Sequence, residues 1–253
     1  MVEDDVARFG RGVAASLRAL LGTDLVGAWF VGSIALGGYV PGESDIDVVA
    51  VSPEHVAEEM KAAIARDLLE LAARCPARGL ELTLYRREVA ASPPRDADFE
   101  VNVNGGPRMA TSVHLDARAE PGFWYVLDRA IAHRCGVAIS GAPAREVFAD
   151  ASRQALLDAM VESMRWHRQH ERATLYSVLN ASRAWRFAAE DVLRSKLDGA
   201  AWARQRWRRP ELIDAAVELR HGRGGRLDER EVGAYLDHVE RALDRARRRP
   251  RWW

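Results

Sequence analysis

The sequence predicts an α+β protein, in which a mixed β-sheet domain with helices (residues 1–148) is followed by an all-α helical bundle (residues 149–253). Three observations lead to this prediction. All four predicted strands lie before residue 105. The composition changes at Gly122, and nearly everything after Pro143 has the apolar spacing of helices. Strands early and helices late indicate two structural units.

Each element of the first half has a local sequence reason. The first helix has apolar residues at helical spacing and acidic residues in its first turn. Pro53 and Glu54 are predicted to open the second helix, because proline is favoured at the first helical position. In chain order the elements are a helix over 3–21, strands over 24–33 and 45–52, a helix over 53–73, and strands over 80–86 and 99–104.

The second half is predicted to be helical almost throughout. The segment "FWYVLDRAIAHRC" has the spacing of a helix, and "GVAISGAP" is predicted to be a short connection. Apolar residues then recur every three or four positions. The predicted helices span 151–170, 172–193, 198–207, 210–221 and 228–248.

The composition excludes several classes of protein. Basic and acidic residues balance at 37 each, so no net field attracts nucleic acid. No segment approaches the roughly 18 apolar residues of a membrane span, and the first 25 residues contain acidic residues and no long apolar block, so no signal peptide is expected. Cys75 and Cys135 lack metal-type spacing and are expected to be reduced thiols. We therefore predict a cytoplasmic monomer without nucleic acid or membrane partners.

Two aspartates stand inside an apolar stretch. Asp45 and Asp47 flank Ile46 and precede a run of valine and alanine. Residues i and i+2 of a strand point to the same face, so the two carboxylates are predicted to lie side by side. Like charges repel at this distance unless a cation lies between them, and Mg²⁺ prefers such hard oxygen ligands. The alternative is that Asp45 caps a turn and Asp47 is exposed to solvent.

The residues before the aspartates favour the metal site. Gly32 and Ser33 end a predicted strand, and eleven residues separate Ser33 from Asp45. A turn that contains glycine lets backbone N–H groups and a hydroxyl approach phosphate oxygens closely. We therefore predict that Gly32 and Ser33 bind a nucleoside triphosphate, and that Asp45 and Asp47 bind the Mg²⁺ that neutralises its charge.

This pattern, Gly32-Ser33-x11-Asp45-x-Asp47, resembles that of the nucleotidyltransferase superfamily of the DNA polymerase β type. The resemblance implies that residues 1–148 form the nucleotidyltransferase domain and that a third carboxylate lies on a neighbouring strand. Glu81 in "GLELTLY" is the candidate, because it opens an apolar strand. It is predicted to be the catalytic residue, a general base. Glu100 in "FEVNV" is the alternative third carboxylate.

The second half is similar to the aminoglycoside nucleotidyltransferases that adenylylate streptomycin and spectinomycin. The similar segments are "GVAISGAPAREVF", "YSVLNASRAWRF" and "SKLDGAAWA", and the resemblance covers roughly residues 25–240. It implies that the helical domain closes over the nucleotide and that Arg183 and Lys196 contact its phosphates. Lys196 and Lys61 are the only lysines among the 37 basic residues. A compact ammonium fits against a phosphate where a guanidinium fork is too wide.

The sequence departs from this family where its antibiotic-modifying members hold their substrate. In those members an acidic residue about ten positions before the arginine helps to bind streptomycin, whereas this chain has Ala173 there, with Glu171 two residues earlier. The preceding segment "RWHRQHER" is basic, although a polycationic acceptor favours carboxylates. The candidate acceptor-binding residues are Glu100, Glu171 and Asn180.

Together these residues predict an enzyme that transfers AMP from Mg-ATP to a hydroxyl of a small acceptor and releases pyrophosphate. An aminoglycoside such as streptomycin or spectinomycin is the acceptor that the resemblance implies, with antibiotic resistance as the role. Two alternatives are AMP transfer to a protein, as in toxin–antitoxin nucleotidyltransferases, and a nucleotide-binding regulator without catalysis. The long helical domain disfavours the first, and the intact carboxylates disfavour the second.

Overall fold

The computed structural model describes residues 4–22 and 25–248 of the chain. It divides into two compact units, with the break between Ala151 and Ser152. The first unit contains a mixed six-stranded sheet, and the second is helical over its described residues. The predicted α+β fold class is therefore confirmed. No helix within the described ranges has both the length and the apolar composition needed to cross a membrane.

The first unit is built around one sheet with the strand order β5-β4-β3-β2-β1-β6. Strands β2 and β3 are parallel, and the other pairs are antiparallel. A parallel pair needs a crossover connection, which α3 provides. The elements are α1 (Asp4–Leu21), β1 (Gly27–Phe30), α2 (Gly32–Ala35), β2 (Ile46–Ser52), α3 (Glu58–Ala72), β3 (Leu80–Arg86), α4 (Arg87–Ala91), β4 (Val101–Gly106), β5 (Met109–His114), α5 (Gly122–Cys135) and β6 (Val137–Ser140).

The alternation of side chains gives this sheet two chemically different faces. Val48 of β2 and Leu82 of β3 are buried in a hydrophobic core that also contains Leu17 of α1. Burial of such a side chain stabilises the fold by about 1.5–3 kcal/mol. Asp47 and Glu81 precede these core residues by one position, so their side chains point to the opposite face of the sheet. The apolar neighbours of the aspartates thus serve the core, while the carboxylates face away from it.

The second predicted helix begins later than the sequence indicates. Pro53 and Glu54 lie in a loop, and α3 starts at Glu58. The Ser52 hydroxyl donates a hydrogen bond to the Glu54 carbonyl, and the Val56 amide donates one to the Glu100 carboxylate. These hydrogen bonds hold the segment outside a helix, so the prediction of a helix from residue 53 was wrong at its start.

Two edge strands, β5 and β6, are absent from the sequence prediction. The segment "GVAISGAP" was predicted to be a connection, but Val137–Ser140 pairs with β1. Met109–His114 likewise pairs with β4. Both strands lie at sheet edges and are largely exposed or half-buried, so their sequences carry little apolar alternation. Residues 3 and 24, which were included in the first predicted helix and strand, lie outside the described residues.

The second unit contains five helices in its described residues, close to the predicted ranges. Three of them begin at residues whose hydroxyl accepts a hydrogen bond from a backbone N–H of the first turn, namely Ser152, Thr174 and Ser195. Such caps satisfy amide groups that have no partner inside the helix. The helices are α6 (Arg153–His170), α7 (Leu175–Glu190), α8 (Lys196–Arg204), α9 (Pro210–Arg220) and α10 (Glu229–Arg248).

Candidate active site

The Gly32-Ser33 turn lies directly against the second aspartate of the Asp-x-Asp pair. Gly32 has φ +52°, a left-handed conformation that favours glycine, and a Cβ atom there would overlap the Asp47 carboxylate. The Ser33 amide donates a 3.3 Å hydrogen bond to Asp47 Oδ2. The Ser33 hydroxyl is buried and has no hydrogen-bond partner within residues 4–22 and 25–248. A buried polar atom of this kind is rare unless a ligand or water meets it.

Asp47 and Glu81 occupy paired positions on neighbouring strands. They are direct partners in the parallel register of β2 and β3. Their side chains therefore share one face of the sheet, the face opposite α1 and α3. Glu81 is exposed and Asp47 is half-buried. The structure thus brings together four of the predicted residues, Gly32, Ser33, Asp47 and Glu81.

Asp45 lies just before β2 and is held by an arginine that the sequence analysis did not single out. Arg78 forms a bidentate ion pair with it, with Nε 2.6 Å from Oδ1 and Nη2 2.7 Å from Oδ2. The backbone keeps the two residues together, because the Arg78 amide donates to the Ser44 carbonyl and the Ile46 amide donates to the Gly79 carbonyl. Paired, parallel hydrogen bonds are the strongest form of arginine–carboxylate contact.

The donor atoms in this region suit a hard divalent cation. Carboxylates and a hydroxyl are the oxygen ligands that Mg²⁺ takes, and one or two carboxylates suffice when substrate phosphates complete the coordination. Asp47 and Glu81 stand in register, and Asp45 is two residues from Asp47. Over the described part of the chain, however, no three His, Cys, Asp or Glu side chains converge as a preformed metal cluster. Asp45 faces Arg78 instead, so it must exchange this partner to take part in metal binding.

A row of neutral polar side chains continues from Glu81 across β4 and β5. Asn104 is the register partner of Glu81, and Ser112 is the register partner of Asn104. Asn104 Nδ2 donates to Ser112 Oγ at 3.0 Å and to Asn102 Oδ1 at 3.2 Å. Sequence reasoning did not identify these residues, although the spacing of the two asparagines in "FEVNVN" already places them on one face of a strand.

Glu100 is not beside the aspartates, which corrects its place as the alternative third carboxylate. It lies four residues before Asn104, the partner of Glu81, and therefore about 13 Å away along the sheet. Its side chain is only 1% exposed. It accepts hydrogen bonds from the Val56 amide at 3.1 Å and from Arg86 Nη1 at 3.2 Å. Its contact with an acceptor stays a prediction.

Four donors hold Glu100 in its ionised form. Lys61 Nζ lies 3.4 Å and His55 Nδ1 3.0 Å from Oε2. Burial alone raises the pKa of Glu100, but the Val56 amide, His55, Lys61 and Arg86 outweigh it and hold the pKa below its ordinary value of 4.5. We call these four side chains, Glu100, Lys61, Arg86 and His55, the Glu100 cluster. A carboxylate compensated this fully is typical of a structural ion pair network.

In the helical unit, three predicted residues belong to one hydrogen-bonded chain. Glu171 Oε2 lies 2.8 Å from His167 Nδ1, and His167 Nε2 lies 2.8 Å from Asn180 Nδ2. Arg183 Nη2 donates to Asn180 Oδ1 at 3.3 Å. The hydrogen bond from His167 is the main cause that lowers the pKa of Glu171, and the Lys196 charge adds to it. His167, buried on α6, was missed because its partners come from a turn and from a second helix.

Lys196 lies at the start of α8, and local sequence explains its position. Ser195 Oγ accepts a hydrogen bond from the Asp198 amide and caps the helix. Gly199 lets α8 approach α7, since a Cβ atom there would come within 2.8 Å of the Arg183 backbone. Lys196 Nζ lies 5.3 Å from the centre of the Tyr176 ring, a cation–π contact.

Comparisons with known proteins agree with both halves of this description. Residues 12–97 match the family described as "Nucleotidyltransferase domain". This range includes the Gly32-Ser33 turn, both aspartates and Glu81. This part of the chain is therefore similar to a nucleotidyltransferase domain. Residues 146–243 match the family described as "Aminoglycoside adenylyltransferase, C-terminal domain". Together the two matches cover most of the chain and support an aminoglycoside adenylyltransferase-like nucleotidyltransferase.

A solved structure has the same fold over nearly the whole chain. It is the spectinomycin adenyltransferase AAD(9) from Enterococcus faecialis, crystallised with ATP and spectinomycin. The match covers 91% of this chain and 96% of that chain, with a TM-score of 0.69 and 15% sequence identity. At this identity the likeness concerns the fold alone. A comparison with curated proteins found no match.

Proposed function

We propose that this protein transfers AMP from Mg-ATP to a hydroxyl of a small acceptor and releases pyrophosphate. The observation that carries the proposal is the pairing of Asp47 and Glu81 in register, next to the left-handed turn at Gly32. The Ser33 hydroxyl, which has no partner in the described residues, adds a donor where a phosphate oxygen would be received. These groups are the ones that nucleotidyl transfer needs: metal ligands, a base and a phosphate cradle.

In this proposal the cations of the helical unit bind the phosphates of ATP. Arg183 offers a planar fork that matches two phosphate oxygens, and Lys196 offers a compact point charge. Asp45 and Asp47 are the proposed ligands of Mg²⁺, and the bound ion supplies charge neutralisation at the phosphates. Arg78 releases Asp45 for this purpose and then carries a positive charge close to the same phosphates.

Glu81 is the proposed general base. Its exposed carboxylate accepts the proton of the acceptor hydroxyl, whose oxygen then attacks the α-phosphorus in line with the departing pyrophosphate. The new oxygen–phosphorus bond forms as the bond to the pyrophosphate oxygen breaks. Arg183 and Lys196 bind the negative charge that collects on pyrophosphate. Positioning and electrostatics thus supply most of the acceleration.

The surroundings of Glu81 bear on the acceptor. Asn104 and Ser112 continue the same face of the sheet with neutral hydrogen-bonding groups. Separately, in the helical unit, the candidate acceptor residue Glu171 already accepts a hydrogen bond from His167. This chemistry suits hydroxyl groups better than a dense array of ammonium groups. Spectinomycin, which the similar solved structure holds, is therefore our first acceptor to test, ahead of streptomycin.

The test is pyrophosphate release from Mg-ATP by the purified protein, across aminoglycosides, aminocyclitols and simple polyols. We expect turnover with at least one hydroxylated acceptor, and a loss of about 1,000-fold in the Glu81→Gln variant. Glu88→Gln is the matched control, because Glu88 follows the same strand and is 84% exposed. Equal rates for Glu81→Gln and the wild type would refute the role of Glu81. Wild-type protein that binds ATP but turns over no acceptor would direct the search to a protein acceptor.

A further inference from the structure

His167 is a buried histidine that the proposed mechanism does not use. Its side chain is 2% exposed, and both ring nitrogens have polar partners. One partner is a carboxylate at the end of its own helix, and the other is the amide of Asn180 on α7. Burying a polar ring is costly unless both nitrogens are satisfied, and here they are.

The hydrogen bonds that run from Glu171 through His167 to Arg183 can be oriented in only one way when His167 is neutral. Ionised Glu171 only accepts, so His167 Nδ1 carries the proton and donates to it. His167 Nε2 is then an acceptor and receives the hydrogen bond of Asn180 Nδ2. This orientation of Asn180 turns its Oδ1 towards Arg183, whose Nη2 donates to it. Each group therefore fixes the direction of the next.

The Glu171 end of this hydrogen-bonded chain is fixed by the turn between α6 and α7. The Ser177 hydroxyl donates to the Glu171 carbonyl, and Thr174 caps α7 through the Ser177 amide. Ala173, in the same turn, has φ +54°, a conformation that a residue with a Cβ atom adopts only when its surroundings impose it. The turn therefore holds the backbone of Glu171 in place, and its carboxylate is within hydrogen-bond distance of His167.

We propose that His167 is a positioning residue that acts through Asn180 to hold the Arg183 guanidinium in place for a nucleotide phosphate. The proposal rests on the proposed function, in which Arg183 binds that phosphate. A long arginine side chain loses considerable rotamer entropy when it is immobilised on binding. The chain from Glu171 through His167 and Asn180 restricts Arg183 before the nucleotide arrives and so reduces that cost.

The first experiment compares the binding of a non-transferable ATP analogue with that of adenosine by isothermal titration calorimetry. We expect His167→Leu to weaken binding of the analogue about fivefold to tenfold and to leave adenosine binding unchanged, because adenosine has no phosphate. His167→Gln keeps one donor and one acceptor and should restore most of the affinity. Asn180→Ala removes the link but keeps the Glu171–His167 pair, and should behave like His167→Leu.

The second experiment is a double-mutant cycle, which separates positioning from a merely structural role. If His167 acts through Arg183, His167→Leu has no further effect on analogue binding in an Arg183→Ala background. Losses that add in the double variant, or an equal loss of adenosine binding, would overturn the proposal. So would an unchanged affinity in both His167→Leu and Asn180→Ala. If His167→Leu proves too unstable to measure, an unchanged affinity in Asn180→Ala alone overturns the proposal.

The same cycle distinguishes this proposal from the proposed function. If Arg183→Ala leaves analogue binding unchanged, Arg183 does not bind phosphate and the proposed function loses that element. If Arg183→Ala weakens binding and the His167 and Asn180 variants do not, only the positioning role fails. The positioning role of His167 is supported by three results together. His167→Leu, Asn180→Ala and Arg183→Ala each weaken analogue binding, and none of them weakens adenosine binding. The double variant binds the analogue as Arg183→Ala does.

Discussion

Two glutamates lie at opposite ends of the β3–β4 pair, and they differ in exposure and in the residues around them. Glu81, at the start of β3, is exposed and shares its face with Asp47. Glu100, just before β4, is 1% exposed and belongs to the Glu100 cluster. Both residues open apolar strands, and both were candidates for the same chemical role. Their surroundings differ: Glu81 is in register with the carboxylate of Asp47, whereas Glu100 is buried among hydrogen-bond donors and cations.

This difference separates a structural carboxylate from a candidate catalytic one. The Glu100 cluster places two cations and a histidine around one buried carboxylate, and the Val56 amide donates a further hydrogen bond to it. The Glu100 carboxylate therefore does not need a ligand or metal ion to balance its charge. At the Glu81 end, the buried Ser33 hydroxyl has no hydrogen-bond partner among the described residues. We therefore expect substitutions at the Glu81 end to alter activity, and those in the Glu100 cluster to alter stability.

The largest effect is expected at Asp47. Asp47→Asn keeps the shape of the side chain but removes its charge, so we expect pyrophosphate release to fall at least about 1,000-fold. The urea midpoint of unfolding should change little. Asp5→Asn is the control, because Asp5 lies on α1 and is 72% exposed. Near-normal transfer by Asp47→Asn would contradict the role of Asp47 as a metal ligand and the interpretation of the Glu81 end as the active site.

The next largest effect is expected at Glu100. Glu100→Gln leaves Lys61 and Arg86 without their buried counter-charge, and we expect the free energy of unfolding to fall by about 3 kcal/mol. Urea denaturation measures the change. Glu88→Gln should alter stability by less than about 0.5 kcal/mol, although Glu88 also lies 3.9 Å from Arg86. If Glu100→Gln instead abolished transfer with stability intact, the two glutamates would have to exchange roles.

Much of the sheet could be predicted because its strands are central. The strand predicted over 80–86 coincides with β3, whose residues alternate between a buried core face and the face that carries Glu81. The edge strands β5 and β6 could not be predicted in this way, because partly exposed edges need no regular apolar pattern. The predicted start of α3 was wrong because the Val56 amide donates a hydrogen bond to the carboxylate of Glu100, 44 residues further along the chain.

The candidate site was predictable only where its chemistry is local in sequence. Asp45 and Asp47 are two residues apart, and their period-two spacing indicates their common purpose. The choice between Glu81 and Glu100 depends on strand register, which no local pattern contains. Arg78 and His167 depend on contacts across 33 and 13 residues. Such contacts are products of the fold.

A smaller effect is expected at Gly32, because its left-handed backbone and its closeness to Asp47 both disfavour a side chain at this position. Gly32→Ala introduces a Cβ atom that overlaps the Asp47 carboxylate, and its φ of +52° adds about 1–2 kcal/mol of strain. We expect transfer to fall by more than the loss of stability explains. Gly37→Ala is the matched control, since Gly37 has φ +69° and a Cβ atom there meets nothing within 4 Å. Equal activity losses in the two variants would show that strain alone matters.

The smallest effect is a pH dependence confined to the Glu100 end. The folded pKa of Glu100 is lowered, so its contribution to stability is present above the unfolded value of about 4.5 and is lost as pH falls through the folded pKa. Glutamine resembles the protonated carboxyl, because both are neutral. The difference in unfolding free energy between the wild type and Glu100→Gln should therefore be largest near pH 7 and shrink steadily towards pH 3. Urea titrations at several pH values measure it. A difference that stays constant across this range would mean that Glu100 is held by its shape and packing and not by its charge.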